Sequence, residues 1–367
     1  MLLALLAVVL LFVLGVFVFV NAAPQFGGSL TKEQKLAYES KEHFKAGKFL
    51  NIEEVDMTFD FSKMRKIFKA MRNPDALRSP KEDLEVLAVN PADIDLADSS
   101  SSFTWLGHSS VLVETDGKML LIDPMFSMRP SPISFLGGKR FFENMPVEIN
   151  ELPAIDVVLI SHDHYDHLDY RSIQELNDKV NYFIVPLGVD NHLIKWGVAP
   201  EKIKALDWWE AQEMAGIEFV FTPSKHFSGR GLTNRFSTLW GSWVINSKSD
   251  KIFFSGDSGY GSHFKEIGSK YGPFSLTMME CGQYNENWPD VHMMPEETVK
   301  AAEELGTKWV LPIHWGAFSL APHSWTDPVE RVRAAAIGSS VQITTPRIGE
   351  TVQLNDMNYP EQAWWLK

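Results

Sequence analysis

Residues Ser161 to Tyr170 read Ser-His-Asp-His-Tyr-Asp-His-Leu-Asp-Tyr and directly follow the apolar run Val157-Val158-Leu159-Ile160. Between His162 and His167 the chain sets three imidazoles and the carboxylate of Asp166 within six residues. An apolar run of this kind ordinarily feeds turn residues or one functional group. Four strong ligands at its end require something to bind. Neutral imidazole and carboxylate suit zinc, and also manganese or iron. The spacing lets His162 and His164 face one metal while Asp166 and His167 face another. The plainer alternative is a polar loop whose histidines satisfy backbone groups, and the density of imidazoles argues against it.

Three further segments end in the same residue types. Ile217–Thr222 reads as a strand and His226 follows it; Lys251–Gly256 reads as a strand and leads to Asp257; Trp309–Ile313 reads as a strand and His314 ends it. These runs carry the β-branched and aromatic residues of buried strands. Strands lying side by side would bring their ends to one sheet edge. His162, His164 and His226 would then hold one metal, and Asp166, His167 and His314 a second. Asp257, with two carboxylate oxygens, would bridge them. Metals about 3.5–4 Å apart can hold a hydroxide between them and clamp both oxygens of an in-line displacement. Taken singly, Asp257 is also a common turn residue in Gly-Asp-Ser-Gly, and His226 and His314 are also ordinary half-buried histidines.

The chain resembles the metallo-β-lactamase-fold hydrolases, and within them the N-acyl-phosphatidylethanolamine-hydrolysing phospholipases D. The resemblance rests on Trp105–Glu114, Asp123–Ser127, Ser161–Tyr170, Pro186–Gly188, Leu206–Glu210, Phe221–His226, Leu239–Trp243, Gly256–Tyr260 and Ile313–Gly316. The His-x-His-x-Asp-His run is shared across the superfamily. Asp207-Trp208-Trp209-Glu210, Trp240-Gly241-Ser242-Trp243 and His314-Trp315-Gly316 narrow it to this branch. The resemblance implies a four-layer αββα sandwich and two zinc ions on the seven ligands, with manganese or iron left open. It implies Asp166 and Asp257 as catalytic carboxylates, and substrate contacts from Tyr165 and His292. A packing tyrosine and a surface histidine are the alternatives for the last two. It also implies a phospholipid substrate cleaved to N-acylethanolamine and phosphatidic acid, and a homodimer. The basic residue with which animal members bind bile acids is Gly229 here, so that control is not implied. A sugar-phosphate lactonase or cyclic phosphodiesterase on the same metals is the rival enzyme. A membrane-anchored binding protein without catalysis is the rival of another class.

With 367 residues the chain can bury a full core. A net charge of −13, from 34 basic and 47 acidic residues, argues against nucleic-acid binding. The single cysteine, Cys281, rules out an intrachain disulfide and reads as a buried hydrophobe. No Gly-x-Ser-x-Gly surrounds the histidine run, so a serine nucleophile has no support. His108 is either a hydrogen-bond partner of a ligand or a satisfied core histidine.

Residues 1–20 carry no charge. A helix of that length spans about 30 Å, a bilayer core. The division expected is therefore an anchor at 1–22, a helical extension and linker at 23–102, and a catalytic domain at 103–367. The protein would be membrane-associated. A signal peptide cleaved near Val20-Asn21-Ala22 is the alternative, although a basic leading region is missing. Residues 21–30 read as a tether and 31–48 as a polar helix. Residues 61, 64, 67, 68 and 71 form a helical apolar stripe, read as core contact in preference to membrane contact. Residues 73–102 read as a connection, Phe103–Ile122 as strands around Asp116-Gly117, and 129–145 as a long loop that borders the substrate entrance or is plain surface. Helical patterns cover 170–176, 262–271 and 295–305.

Overall fold

The computed structural model describes residues 2–58, 60–73, 76–91, 94, 100–356 and 358–366. Among these, two seven-stranded sheets face each other, with helices on their outer sides. The first sheet takes β3 (Ser102–Trp105), β4 (Val111–Thr115), β5 (Lys118–Ile122), β6 (Ile155–Leu159), β7 (Val180–Pro186) and β8 (Ile203–Leu206) in chain order. Strand β16 (Thr351–Gln353) closes the β3 edge. Asp116 and Gly117, both at positive φ, form the two-residue turn that joins β4 to β5. From β5 to β8 the strands run parallel, with α4 (Tyr170–Leu176) and α5 (Asp190–Lys195) in the crossovers.

The second sheet runs β9 (Ala211–Met214), β10 (Ile217–Thr222), β11 (Ser242–Asn246), β12 (Lys251–Phe254), β13 (Leu276–Glu280), β14 (Trp309–Ile313) and β15 (Gln342–Ile343). Strands β12 to β15 are parallel, and their crossovers carry α6 (His263–Tyr271), α7 (Pro295–Leu305) and α8 (Asp327–Ala335). Helix α7 buries Thr298, Val299, Ala301, Ala302 and Leu305, one face at helical spacing, and stops at Gly306 in the left-handed conformation. Between the sheets the Trp243 indole donates to Ile160 O across the interface at 3.0 Å, and its ring packs 4.6 Å from Phe221. This is the expected αββα sandwich. β6, β12, β13 and β14 read as near-continuous apolar runs because their side chains are buried on both faces.

The extension departs from expectation in three places. Helix α1 (Leu2–Ala22) forms as expected, but residues 21–30 are a docked segment rather than a tether. Trp196 Nε1 donates to Pro24 O at 2.6 Å, Lys195 Nζ to Gly27 O at 2.8 Å, and Arg230 to Gln25 O. A Cβ on Gly27 would lie 2.0 Å from the His192 ring, so only glycine lets the backbone approach. The helix expected over 31–48 covers only α2 (Lys32–Tyr38), started by a Thr31/Gln34 capping box. The rest is the hairpin β1 (Phe44–Lys45) and β2 (Lys48–Phe49), turned at Ala46-Gly47 with positive φ at both. Phe44, Phe49 and Tyr38 bury one another there, and that packing overrides the polar pattern. Finally, α3 (Phe61–Met71) forms, but none of its residues is buried, so its stripe is not the core contact expected.

Candidate metal centre

Strands β10, β12, β13 and β14 point the same way, so their C-terminal ends share one edge of the second sheet. The end of β6 in the first sheet meets that edge. The backbone itself joins the two, with Gly241 N donating to Ser161 O at 3.1 Å. His162, His164, His226 and Asp257 converge there with ligand atoms within 4.8 Å of one another. A second group, Asp166, His167 and His314 with His108, converges equally closely. Sequence reasoning thus named seven residues that the fold does bring together, from four strand ends.

Asp257 stands between the groups. Its Oδ1 lies 3.2 Å from His167 Nε2 and 3.1 Å from His314 Nδ1. Its Oδ2 lies 3.7 Å from both His162 Nε2 and His226 Nε2. The far nitrogens are tied down. His226 Nδ1 donates to Val291 O at 2.8 Å, His162 Nδ1 meets Ser161 Oγ at 2.9 Å, and His167 Nδ1 meets Asp123 Oδ2 at 2.7 Å. Each of these three rings therefore turns Nε2 inward, which is how protein metal sites fix their histidine tautomers. Among the described residues no group makes a well-aligned hydrogen bond to the buried His167 Nε2 or Asp257 Oδ1, which face each other only as an ion-pair contact. Orphaned polar atoms of this kind, in a cage of nitrogen and carboxylate donors, fit a pair of divalent cations.

The electrostatics agree. Burial holds His162, His226 and His314 well below the ordinary histidine value, and neighbouring imidazoles push His162 and His314 further down. Burial alone would raise Asp257, but the surrounding histidines, His167 and His314 foremost, hold it well below the usual carboxylate range. Neutral imidazoles and an ionised carboxylate are the forms that bind metal. His167 is the exception. Burial would lower it, yet Asp257 and Asp166 raise it well above the ordinary value, so without metal it keeps a proton.

Three supporting residues surround the cage. His108 Nε2 lies 2.9 Å from Asp166 Oδ2 and orients that carboxylate, the first of its two expected roles. Asp123, at the end of β5, accepts from Ser161 N at 2.7 Å besides contacting His167. Glu280, at the end of β13, accepts from Met293 N and lies 2.8 Å from His292 Nδ1. Sequence reasoning missed Asp123 and Glu280 as site residues. The available signal was position, since each ends a strand next to a ligand-bearing strand. Cys281 is buried and burial pushes its thiol well up, which excludes a thiolate nucleophile.

A cavity of about 250 Å³ opens over the cage, with His164, Asp166, Asp257, His292 and His314 in its floor. Met57, Phe227, Trp288 and Leu320 form an apolar wall, and Arg235 contributes the cation, its guanidinium 4.7 Å over the Phe227 ring. His292 therefore faces the cavity and is not a surface histidine. Tyr165 lines a second cavity of about 260 Å³ with Gln25 and residues of the 127–134 segment. Its hydroxyl donates to Arg230 O at 2.7 Å, so in this conformation the phenol packs structure rather than facing the cage.

The profile of the Beta-lactamase superfamily domain matches residues 118–315, more than half of the chain. The chain belongs to the metallo-β-lactamase superfamily. Within this superfamily it is similar to an uncharacterized protein of Mycobacterium tuberculosis, 39% identical over 89% of this chain and 88% of that one. It is 33% identical to the N-acyl-phosphatidylethanolamine-hydrolyzing phospholipase D 1 of Caenorhabditis elegans, over 62% of this chain and 67% of that one. Among solved structures, a metallo hydrolase of Ignicoccus hospitalis shares the fold, with a TM-score of 0.52 at 19% identity over 69% of this chain and 98% of that one. The chain is a metal-dependent hydrolase of the metallo-β-lactamase fold.

Proposed function

We propose that the protein is a zinc-dependent phosphodiesterase of membrane lipids, cleaving N-acyl-phosphatidylethanolamine to N-acylethanolamine and phosphatidic acid. The observation that carries this reading is the pairing of two donor groups around Asp257 with a cavity that is half apolar wall and carries the cation Arg235. A phosphodiester brings a negative charge, which Arg235 and the cage would meet, and acyl chains, which Phe227, Trp288 and Leu320 would meet. The similarity to the nematode enzyme supports the same substrate.

His162, His164 and His226 would hold one cation, and Asp166, His167 and His314 the other, with Asp257 between them. Bound there, two divalent cations supply Lewis acidity to the phosphoryl oxygens and lower the pKa of water to about 7. The chain's own groups do the rest. As the water oxygen bonds to phosphorus and the bond from phosphorus to the ethanolamine oxygen breaks, Asp257 would accept the proton of the water and return it to that leaving oxygen. Glu280 fixes His292 through Nδ1. Burial would lower the ring, but the charge of Glu280 raises it above the ordinary histidine value, so that as an imidazolium His292 would also carry a proton on Nε2 to donate to a phosphoryl oxygen. The aromatic wall excludes water from the apolar side. Zinc suits the imidazole-rich donor set.

The test is mass spectrometry of lipid products from purified protein, with and without chelator, on N-acyl-phosphatidylethanolamine micelles and on sugar-phosphate lactones. N-acylethanolamine released only without chelator is expected. Turnover of lactones alone would replace the lipid reading with the lactonase one.

A further inference from the structure

We propose that α3 is an interfacial helix that lays Phe61, Met64 and Phe68 onto an anionic lipid surface beside the mouth of the metal cavity. The inference rests on the lipid-hydrolase reading for the source of that surface. Phe61, Met64 and Phe68 are 80%, 53% and 57% exposed, and their spacing puts them on one helical face. The other side of α3 only half-covers Ile67, Ala70 and Met71. Three large exposed apolar side chains on a single ordered face mark a surface that something covers.

The charges select the partner. Lys63, Arg65, Lys66, Lys69 and Arg72 fall within or just after the helix, and no acidic residue lies between positions 61 and 72, in a chain of net charge −13. The Arg72 guanidinium sits 3.9 Å from the centroid of the Phe68 ring. An apolar stripe flanked by basic residues binds bilayers that carry negative lipid, by apolar insertion and by attraction together. The helix is also held in place rather than dangling. Asp60 caps it by accepting from Lys63 N at 2.6 Å, and Asp56 N donates to Asp290 just before it. At its far end Arg78 reaches Ala321 O at 3.3 Å and also bonds Met71 O.

Position supplies the third strand of the inference. Met57, just ahead of α3, lines the cavity over the cage, and so does Leu320, next to the Arg78 contact. At the end of α1, Phe19 packs on Phe26 and Phe26 on Tyr165, which lies between His164 and Asp166 in the chain. Gln25 in turn holds the long loop through Pro132 O, and that loop exposes Phe135 and Leu136 at 76% and 51%. The α3 segment is thus bracketed by Met57 and Leu320, two residues that line the cavity through which a lipid would reach the cage. A chain tethered at α1 would present α3 to the bilayer at high effective concentration.

A polarity-sensitive fluorophore on Phe68→Cys tests this in the full chain, because the native Cys281 is fully buried. Ile337→Cys is the reference. Ile337 is 84% exposed and lies between α8 and β15, at the edge of the second sheet opposite the ligand ends. Vesicles of phosphatidylcholine are compared with vesicles of phosphatidylcholine and phosphatidylglycerol. A blue shift with loss of iodide quenching is expected at position 68, larger on the phosphatidylglycerol vesicles and reversed by salt, with no change at 337. No shift at 68, an equal shift at both positions, or an equal shift on neutral vesicles would overturn the proposal. The probe needs no turnover, so its outcome stands apart from the identity of the substrate.

Discussion

Asp257 carries more of the site than any other single side chain, because each of its oxygens faces two imidazoles. Asp257→Asn keeps the shape and removes the charge that both donor groups share. Turnover should be abolished, and metal content by mass spectrometry should fall below two per chain while circular dichroism is unchanged; full activity would remove the bridging role. The histidines set a pH dependence. His162, His164, His226 and His314 are lowered, chiefly by burial, so each contributes stability that is present above the ordinary value of about 6.5 and lost as pH falls toward the folded value. His167 is raised and works the other way, keeping its contribution below about 6.5 and losing it as pH rises. Four groups against one make the chelated protein acid-labile. Its Tm should fall as pH drops below about 6.5, and metal should suppress much of that fall. A flat Tm profile would show that the imidazoles are not buried neutral. These ligands were legible in the sequence because each follows an apolar run closely. Glu280 ends an apolar run as they do, but its worth lies in a contact with His292, a pairing that the run itself does not announce.

The elements that hold the cage were legible to the extent that one element sufficed to define them. Strands β6, β10, β12 and β14 are buried on both faces and read as apolar runs. The periodicity of α3 marked a helix and a stripe, but periodicity cannot say what covers a stripe. The docking of 24–28 was illegible because its partners, Lys195, Trp196 and Arg230, lie far along the chain. Arg230 is the clamp. It is buried, donates from Nη1 to Asp163 O and Leu168 O at 2.7 Å each, and donates from Nε and Nη2 to Gln25 O. Its guanidinium stacks 4.1 Å from the Tyr165 ring centroid. The metal loop and the segment after α1 therefore share one side chain. Arg230→Met keeps bulk and leaves three carbonyls without this donor. A loss of about 2–4 kcal/mol is expected from charge-assisted bonds of this kind. Denaturant titration should show it, together with faster proteolysis within 24–30. An unchanged midpoint would mean that Arg230 only fills space.

At the scale of the molecule, the two sheets form the body, and parts of the chain before Phe103 pack on it, among them Pro24 to Gly27, Gln34, Lys41 and Leu84 to Val89. Helix α1 stands apart from that body, since Leu5 to Phe19 remain exposed apart from the packing of Phe19 on Phe26. The stretch Leu5–Ala22 is long and apolar enough to cross a bilayer, by a composition that an anchor and an export signal share. Its separateness permits a clean division of labour. The cage depends on contacts among strand ends, and among the described residues none of its hydrogen bonds or ion pairs reaches α1. The docked segment 24–28, by contrast, is held by the domain itself through Arg230, Trp196 and Lys195. Deleting residues 1–22 should therefore leave metal content unchanged and unfolding stability within about 0.5 kcal/mol, as for changes away from packed contacts. Turnover of a short-chain substrate in solution should persist as well. Turnover of the same headgroup in bilayer vesicles should fall severalfold, because the enzyme would lose its residence at the surface and keep only the weaker attraction of α3. Matched assays on the two substrate forms, with the membrane fraction of each protein measured alongside, separate a membrane-delivery role from a folding role. Equal losses on soluble and vesicle substrate would mean that α1 supports the catalytic domain directly, and full vesicle turnover without it would show that the anchor contributes nothing to substrate access.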